Sequence, residues 1–229
     1  MRVPEITTRE HRPRRYLVND QVYVRHKDVV LEADTESPRL PVDKIRAGTV
    51  LVAAQRSSTF VVATDDRAEQ ARPARLVSLA PADPQWANSV LTASLGKETG
   101  FAVVLDASAV DTASVVDQLN RNLAFSVHFL SDEDPNGLVR IRTRHSGADA
   151  FMHVASSYVQ AFGSRGTAAI GRDPVVCVAD DLGELKDVEG RAAQSLVPTI
   201  AAGHFRESEL IALTPEARRV LSRRGSLFS

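Results

Sequence analysis

The chain has 229 residues, of which 43% are hydrophobic and 25% charged, enough apolar content to bury the core of one large domain or two small ones. Its net charge of −1 argues against a nucleic-acid binder, whose footprint is strongly basic. With 5% aromatics and the single Trp86, little is left for base or sugar stacking.

One cysteine, Cys177, excludes an internal disulfide and a cysteine-based zinc site. Within PVVCVAD it reads as a buried, inert thiol. The N-terminal MRVPEITTREHRPRR lacks the apolar core of a signal peptide, and no apolar run approaches 18 residues. The expectation is therefore a soluble protein made in the cytoplasm, with no membrane span.

Residues 1–42 carry Pro4, Pro13, Pro38 and Pro41 among many charges, including REHRPRR at 9–15. Their one strand-like piece is QVYVRHKDVVLEA, where Val22, Val24, His26 and Asp28 alternate with Tyr23, Arg25 and Lys27. This predicts an extended arm that gains order by adding to a sheet. A turn at 43–48, with Gly48 free to take a positive φ, leads into strands at 49–52 and 60–63, joined by Arg56-Ser57-Ser58. Residues 75–79 read as a third strand of the same body.

The middle differs in style. Residues 101–105 read as a strand, and a helix follows from about 111 to 124. Its face is Val115, Val116, Leu119 and Leu123, capped by Asp111 or Thr112. FSVHF at 125–129 alternates with period two and reads as a strand, as do 138–144 and 150–155. The order is β-α-β-β-β. Beyond it, Gly163, Gly166, Gly171 and Pro174 mark a loop, 175–178 a strand, and 192–200 an extended run around Pro198. Thr214-Pro215-Glu216 starts a helix with Thr as N-cap and Pro at the first position; Arg218, Arg219, Arg223 and Arg224 suit its C-terminal dipole, and Gly225 stops it.

No motif in this pattern demands catalysis. DEDPNG at 132–137 fails the calcium-loop spacing, because Thr143 stands where a bidentate Glu is needed, so it reads as a solvated turn. His145 and His153 would approach each other only if 138–144 and 150–155 formed a hairpin, and no third ligand is evident. Arg140, Arg142 and Arg144 share one strand face, which is either a basic patch for an acidic or phosphate-bearing partner or a plain solvent face. Gly163-Ser164-Arg165-Gly166 is neither a phosphate loop nor a dinucleotide fingerprint, and no G-x-S-x-G occurs. Asp65-Asp66 and Asp180-Asp181 follow strands, and adjacent residues there point opposite ways, which favours turn formation over paired acid–base work.

DKIRAGTVLV with STFVVATDD, and the later VPTIAAGHFRESELIALTPEARRVLSRRGSLF, resemble the opening β unit and the closing strand, loop and helix of the head decoration (cement) proteins of tailed bacteriophages. The resemblance covers about residues 43–81 and 167–229. The middle stretch, ASVVDQLNRN through RTRHSGADAFMHVAS, is similar in style to the α/β inserts of flagellins and phage surface proteins.

Together these set the expectations. The fold is α+β, mostly β: an extended arm (1–42), a decoration-type body (43–90 and 160–229) and an inserted domain (91–159). The resemblance implies a non-enzymatic virion protein, without cofactor or metal, that binds and stabilises the outer surface of the expanded shell. Its partners would be the major capsid protein and itself, as a homotrimer, with neither nucleic acid nor membrane involved. Capsid contacts would fall on Arg12, Arg14, Arg15, Tyr23, Val24 and Arg25, and subunit contacts on Ile45, Val50, Leu51, Phe205, Leu210 and Leu213. A tail, baseplate or connector role is the structural alternative. A small-molecule-binding or hydrolytic domain using Asp180, Asp181, His145 or His153 is the alternative from another class.

Overall fold

A computed structural model describes residues 14–19, 23–32, 44–55, 57–96, 100–181, 183–184 and 194–229. The fold is α+β and mostly β. The chain divides into two compact units, one from residues 1–69 and 175–229, the other from residues 70–174.

In chain order, the first unit opens with β1 (Tyr23–Val30), β2 (Lys44–Ile45), β3 (Val50–Ala53) and β4 (Phe60–Val62). The second unit follows with β5 (Pro73–Val77), β6 (Val90–Ser94), β7 (Phe101–Val104), helices α1 (Thr112–Arg121) and α2 (Leu123–Ser126), β8 (Phe129–Glu133), β9 (Val139–Ser146), β10 (Phe151–Ser156), α3 (Val159–Phe162) and β11 (Thr167–Ile170). The chain then returns to the first unit as β12 (Val176–Ala179), β13 (Gly183–Glu184), β14 (Leu196–Phe205), α4 (Pro215–Arg223) and β15 (Leu227–Phe228).

The first unit is built on a sheet ordered β1-β14-β12-β3-β4, with β15 parallel to the end of β14. Leu31, just past β1, bridges Phe60 at the start of β4. There the Glu32 amide donates to the Phe60 carbonyl at 2.8 Å, so the first and last strands meet and the sheet curls toward closure. Both faces of the central strands are covered. Val50, Val52, Val176 and Val178 pack on one side with Tyr16, Leu17, Phe205 and the α4 residues Ala217, Val220 and Leu221. Leu51, Cys177 and Ala179 pack on the other side with Val29, Leu31 and Val62. Double coverage is why these strands read as unbroken apolar runs, VLV, FVV and VCVA, rather than as alternation.

Local chemistry starts and stops α4 as its sequence predicts. The Thr214 hydroxyl accepts from the Ala217 amide at 3.1 Å, Pro215 occupies the first turn, and Gly225 leaves the helix at φ +87°. The expected arm strand is β1. It augments a sheet, and that sheet is the chain's own: Tyr23 pairs with Gly203 and Val30 with Leu196 along β14.

The second unit has two antiparallel sheets, β11-β10-β6-β7 and β5-β9-β8. They join at one corner, where Arg72 and Arg172 exchange backbone hydrogen bonds of 2.7 and 3.0 Å. Between them lies one core of Trp86, Leu91, Leu119, Phe125, Phe129, Ile141, Met152 and Phe162, all essentially buried. The capping box of α1 is in place, with the Asp111 carboxylate accepting from the Ser114 amide at 2.8 Å.

Four local expectations change. Residues 73–77 belong to the second unit, because β5 pairs with β9; the units part at 69/70 and 174/175, where 90/91 and 159/160 were expected. Residues 125 and 126, expected to open a strand, are helical instead. Asn122 breaks α1 and caps α2, its side chain accepting from the Phe125 amide at 3.0 Å. Phe125 and Phe129 sit four apart, a spacing that serves a helical turn as well as a strand, and their rings lie 5.1 Å apart in the core. The stretch read as a glycine-marked loop contains β11, and SVLTAS, to which the sequence reading assigned no element, contains β6.

Candidate interaction surface

In the first unit, the side chains nearest to a polar site are used to hold the N-terminal segment down. Arg14 donates to both oxygens of Asp180, at 2.6 and 2.8 Å, and the Tyr16 hydroxyl donates to the same carboxylate. The Arg14 guanidinium also lies 4.7 Å from the centre of the Tyr23 ring. Backbone bonds add register: the Val18 amide donates to the His204 carbonyl and the Arg206 amide to Tyr16, each at 2.8 Å. Gly48, at φ +88°, permits the approach of Tyr16, since a Cβ there would stand 3.2 Å from the tyrosine's own Cβ. Burial and the bond to Asp180 push the Tyr16 hydroxyl far above its ordinary pKa, and the same carboxylate raises that of Arg14. This is a structural clamp of fully engaged groups.

The second unit presents two sheet faces of opposite character. On the three-stranded sheet, Ala74, Leu76, Phe129, Val139 and Ile141 point inward, so their neighbours point out. The outward residues include Arg75, Arg140, Arg142, Arg144 and Asp132. Arg140 is ion-paired with Asp132, and Arg142 lies 3.5 Å from the same carboxylate. The Arg144 side chain donates to the Ser126 carbonyl. The arginine stripe is thus a solvent face laced by its own acid.

The four-stranded sheet has no such lacing. Leu91, Ala93, Val103, Met152 and Val154 point inward and are buried. Cross-strand register fixes what points out. Phe151 stands beside Ile170, and His153 between Ala168 and Ser94. Ala155 stands beside Thr92, which faces Ala102, and Val90 faces Val104. All ten are exposed or half-buried, with Val104 at 70% and Ile170 at 66%. None is Lys, Arg, Asp or Glu. The one titratable group, His153, is engaged by the Arg165 carbonyl at 3.1 Å. An antiparallel sheet face left to water normally carries polar and charged side chains, which makes this uncharged face the candidate docking surface of the unit.

No family model matches the chain, and no curated protein sequence matches it either. Among solved structures, the chain is similar to the D2–D3 domains of the flagellar cap protein FliD from Serratia marcescens, at 10% identity, covering 82% of this chain and 100% of that one, with a TM-score of 0.38. The corresponding domains from Escherichia coli give 12% identity, 78% and 98% coverage and a TM-score of 0.39. FliD from Pseudomonas aeruginosa PAO1 gives 17% identity, 86% and 89% coverage and a TM-score of 0.36. These likenesses are too distant to carry a functional argument.

They do correct the family expectation. The structural neighbours are flagellar cap domains, not phage head decoration proteins. With that resemblance go the capsid-surface role, the major capsid protein as partner, the decoration-type homotrimer and the virion as location.

The residues proposed for those contacts sit as follows. Arg12 lies outside the described residues. Arg14 is spent on Asp180, while Arg15, Val24 and Arg25 are exposed and Tyr23 is half-buried under Arg14. Ile45, Val50, Leu51 and Phe205 are at most 1% exposed, so they form the chain's own core rather than a subunit contact. Leu210 and Leu213 pack on that core from its rim.

The catalytic alternative is also dispersed. Asp180 and Asp181 belong to the first unit, His145 and His153 to the second. The two histidines do not face each other across a hairpin, because β9 pairs with β5 and β8 while β10 pairs with β6 and β11. Among the described residues no cluster of three metal-ligating side chains forms, and no helix is long and apolar enough to cross a membrane. The Cys177 thiol is buried, which pushes its pKa up to about 12 and keeps it a thiol.

Proposed function

We propose that the chain is a non-catalytic structural subunit that works by docking onto protein surfaces within a larger assembly. The observation that carries this reading is the uncharged outer face of the β11-β10-β6-β7 sheet, a regular surface held on a packed two-sheet core. A surface of this kind gains free energy by leaving water against another protein, at roughly 25 cal/mol per Å² of apolar area covered.

The test is where the protein sits in the cells that make it. A tagged chain at its native level is followed through a sedimentation gradient of cells and medium. The expected result is recovery in a fast-sedimenting particle at a fixed ratio to its other components. Recovery only in slow fractions of single-chain mass, under gentle lysis and low salt, would sink the reading.

A further inference from the structure

We propose that the notch where β12 parts from β14, in the first unit, binds a small organic carboxylate that carries an apolar group. This site lies in the other unit from the uncharged sheet face and does not depend on it.

Strand register makes the notch. β12 pairs with β14 through Val178 and Ala179, opposite Ile200 and Thr199. β14 runs on to Phe205, where β15 joins it at His204 and Phe205. Between these two pairings, Ala202 and Gly203 have β1 on one side and no described strand on the other. Side chains bridge part of the gap. The Gly203 amide donates to Ser226 Oγ at 3.4 Å, and Arg224, just past α4, donates from Nη1 to the Val176 carbonyl at 2.7 Å. What remains open is a cavity of about 400 Å³, within the ~300–1,000 Å³ usual for small-molecule sites.

The lining selects the ligand. Val24 of β1 and Leu227 of β15 wall the cavity, and they are 59% and 63% exposed, so an apolar group placed between them takes both out of water. The polar lining is cationic or neutral: Arg224 and His204 contribute to it, and no Asp or Glu does. The bond to Val176 fixes the Arg224 guanidinium through Nη1. Its Nε and Nη2 hydrogens, and the His204 ring, have no partner among the described residues. A planar guanidinium edge of this kind matches a carboxylate with two parallel hydrogen bonds. A phosphate is served less well. Its further oxygens need backbone amides, and here the Gly225 and Ser226 amides are committed to the Ser222 and Leu221 carbonyls and that of Gly203 to Ser226. One cationic fork beside two apolar walls therefore reads as a site for a single carboxylate with a short apolar tail.

The test titrates hexanoate into the full chain and follows the backbone amides by nuclear magnetic resonance. Saturating shifts are expected at Gly203, His204, Gly225 and Leu227, with half-saturation on the order of 1 mM for so small a ligand. Acetate, which has the head without the tail, hexanol, which has the tail without the head, and hexylamine, whose charge is reversed, should each bind at least tenfold more weakly. Arg224→Gln should weaken hexanoate at least tenfold. Because Arg224 also serves the Val176 carbonyl, a second variant is needed that leaves that bond in place. Val24→Glu, at an exposed position, sets a competing carboxylate on the rim and should weaken binding as much, with the circular dichroism unchanged. N-acetylleucine in place of hexanoate distinguishes the C-terminus of a polypeptide from a free acyl chain, and the tighter of the two names the source. Absence of saturating shifts with either carboxylate, equal binding of acetate or hexylamine, or binding indifferent to both substitutions overturns the site.

Discussion

The two sheets of the second unit share one core and differ on their outer faces. Inward positions are equally apolar in both: Val139 and Ile141 on one side, Met152 and Val154 on the other, all fully buried. Outward, β9 alternates these with three arginines, while β10 alternates them with Phe151, His153 and Ala155. Folding requires only the inward set, so the outward set is free to answer to the surroundings. Where the surroundings are water, charge is cheap and keeps neighbours away. Where another protein covers the face, charge is a burden. On the docking reading, the difference between the sheets follows what each one faces, independently of stability.

That separation can be broken most forcefully at two adjacent residues. Val103 is 3% exposed and points into the core, while Val104 is 70% exposed on the outer face. Val103→Lys should unfold the second unit, because an unpaired ammonium in the core costs more than a marginal fold can spare. Val104→Lys should leave the unfolding midpoint within the ~0.5 kcal/mol typical of surface changes. Urea titration of both variants checks this, and equal losses would refute the inward–outward assignment of β7.

A smaller effect tests the shared core. Phe129 on β8 is fully buried and meets Phe101 of β7 edge-on at 6.2 Å, so it touches residues of both sheets. Phe129→Ala should cost about 3–5 kcal/mol. Amide exchange should then rise in both sheets together, since they lean on one cluster. Loss of protection confined to β8 and β9 would mean the sheets are stabilised separately.

Much of this build is legible in the sequence, and the remainder fails for physical reasons. The doubly covered strands announce themselves as VLV, FVV and VCVA because both of their faces are dry. Thr214-Pro215-Glu216 and Asp111 announce helix starts because capping is local chemistry. FSVHF misleads because two phenylalanines four apart satisfy both periods. TAAI and VLTAS escape as strands because alanine and serine carry little β preference. Their small, uncharged outward residues are the very feature of the candidate surface, but that surface exists only after β6-β7 and β10-β11, far apart in the chain, take register through β10 and β6. Sequence shows the alternation within each strand and not the neighbours. The Arg14–Asp180 clamp is hidden likewise, its members standing 166 residues apart. The arginine stripe was readable as one face, whereas its lacing by Asp132 depended on the pairing of β8 with β9.

Ion pairs on the two units sharpen the claim that exposed charge contributes little to holding the fold. Asp180 is only 8% exposed at its side chain and neutralises Arg14, itself 22% exposed, while also taking the Tyr16 proton bond. Asp180→Ala leaves a mostly covered guanidinium and a buried hydroxyl without their acceptor. The expected loss is about 2–4 kcal/mol, somewhat below that for a fully buried pair. Asp65→Ala is not an equivalent control, because Arg67, which pairs with Asp65 at 2.9 Å, also lies 3.7 Å from Glu32.

Asp132 supplies the matched case on the charged sheet. It faces Arg140 and Arg142 with a side chain 32% exposed. Asp132→Asn removes the charge but keeps the shape, so the three arginines remain on a wet face where water and salt screen them. The expected loss is at most about 1 kcal/mol at low ionic strength, shrinking further near 1 M salt. A double-mutant cycle with Arg140→Ala, read by urea unfolding at both salt concentrations, isolates the pair. A coupling well above that size, unmoved by salt, would mean that something covers this face as well. The contrast between a sheet dressed for water and a sheet dressed for a partner would then fail on its charged side.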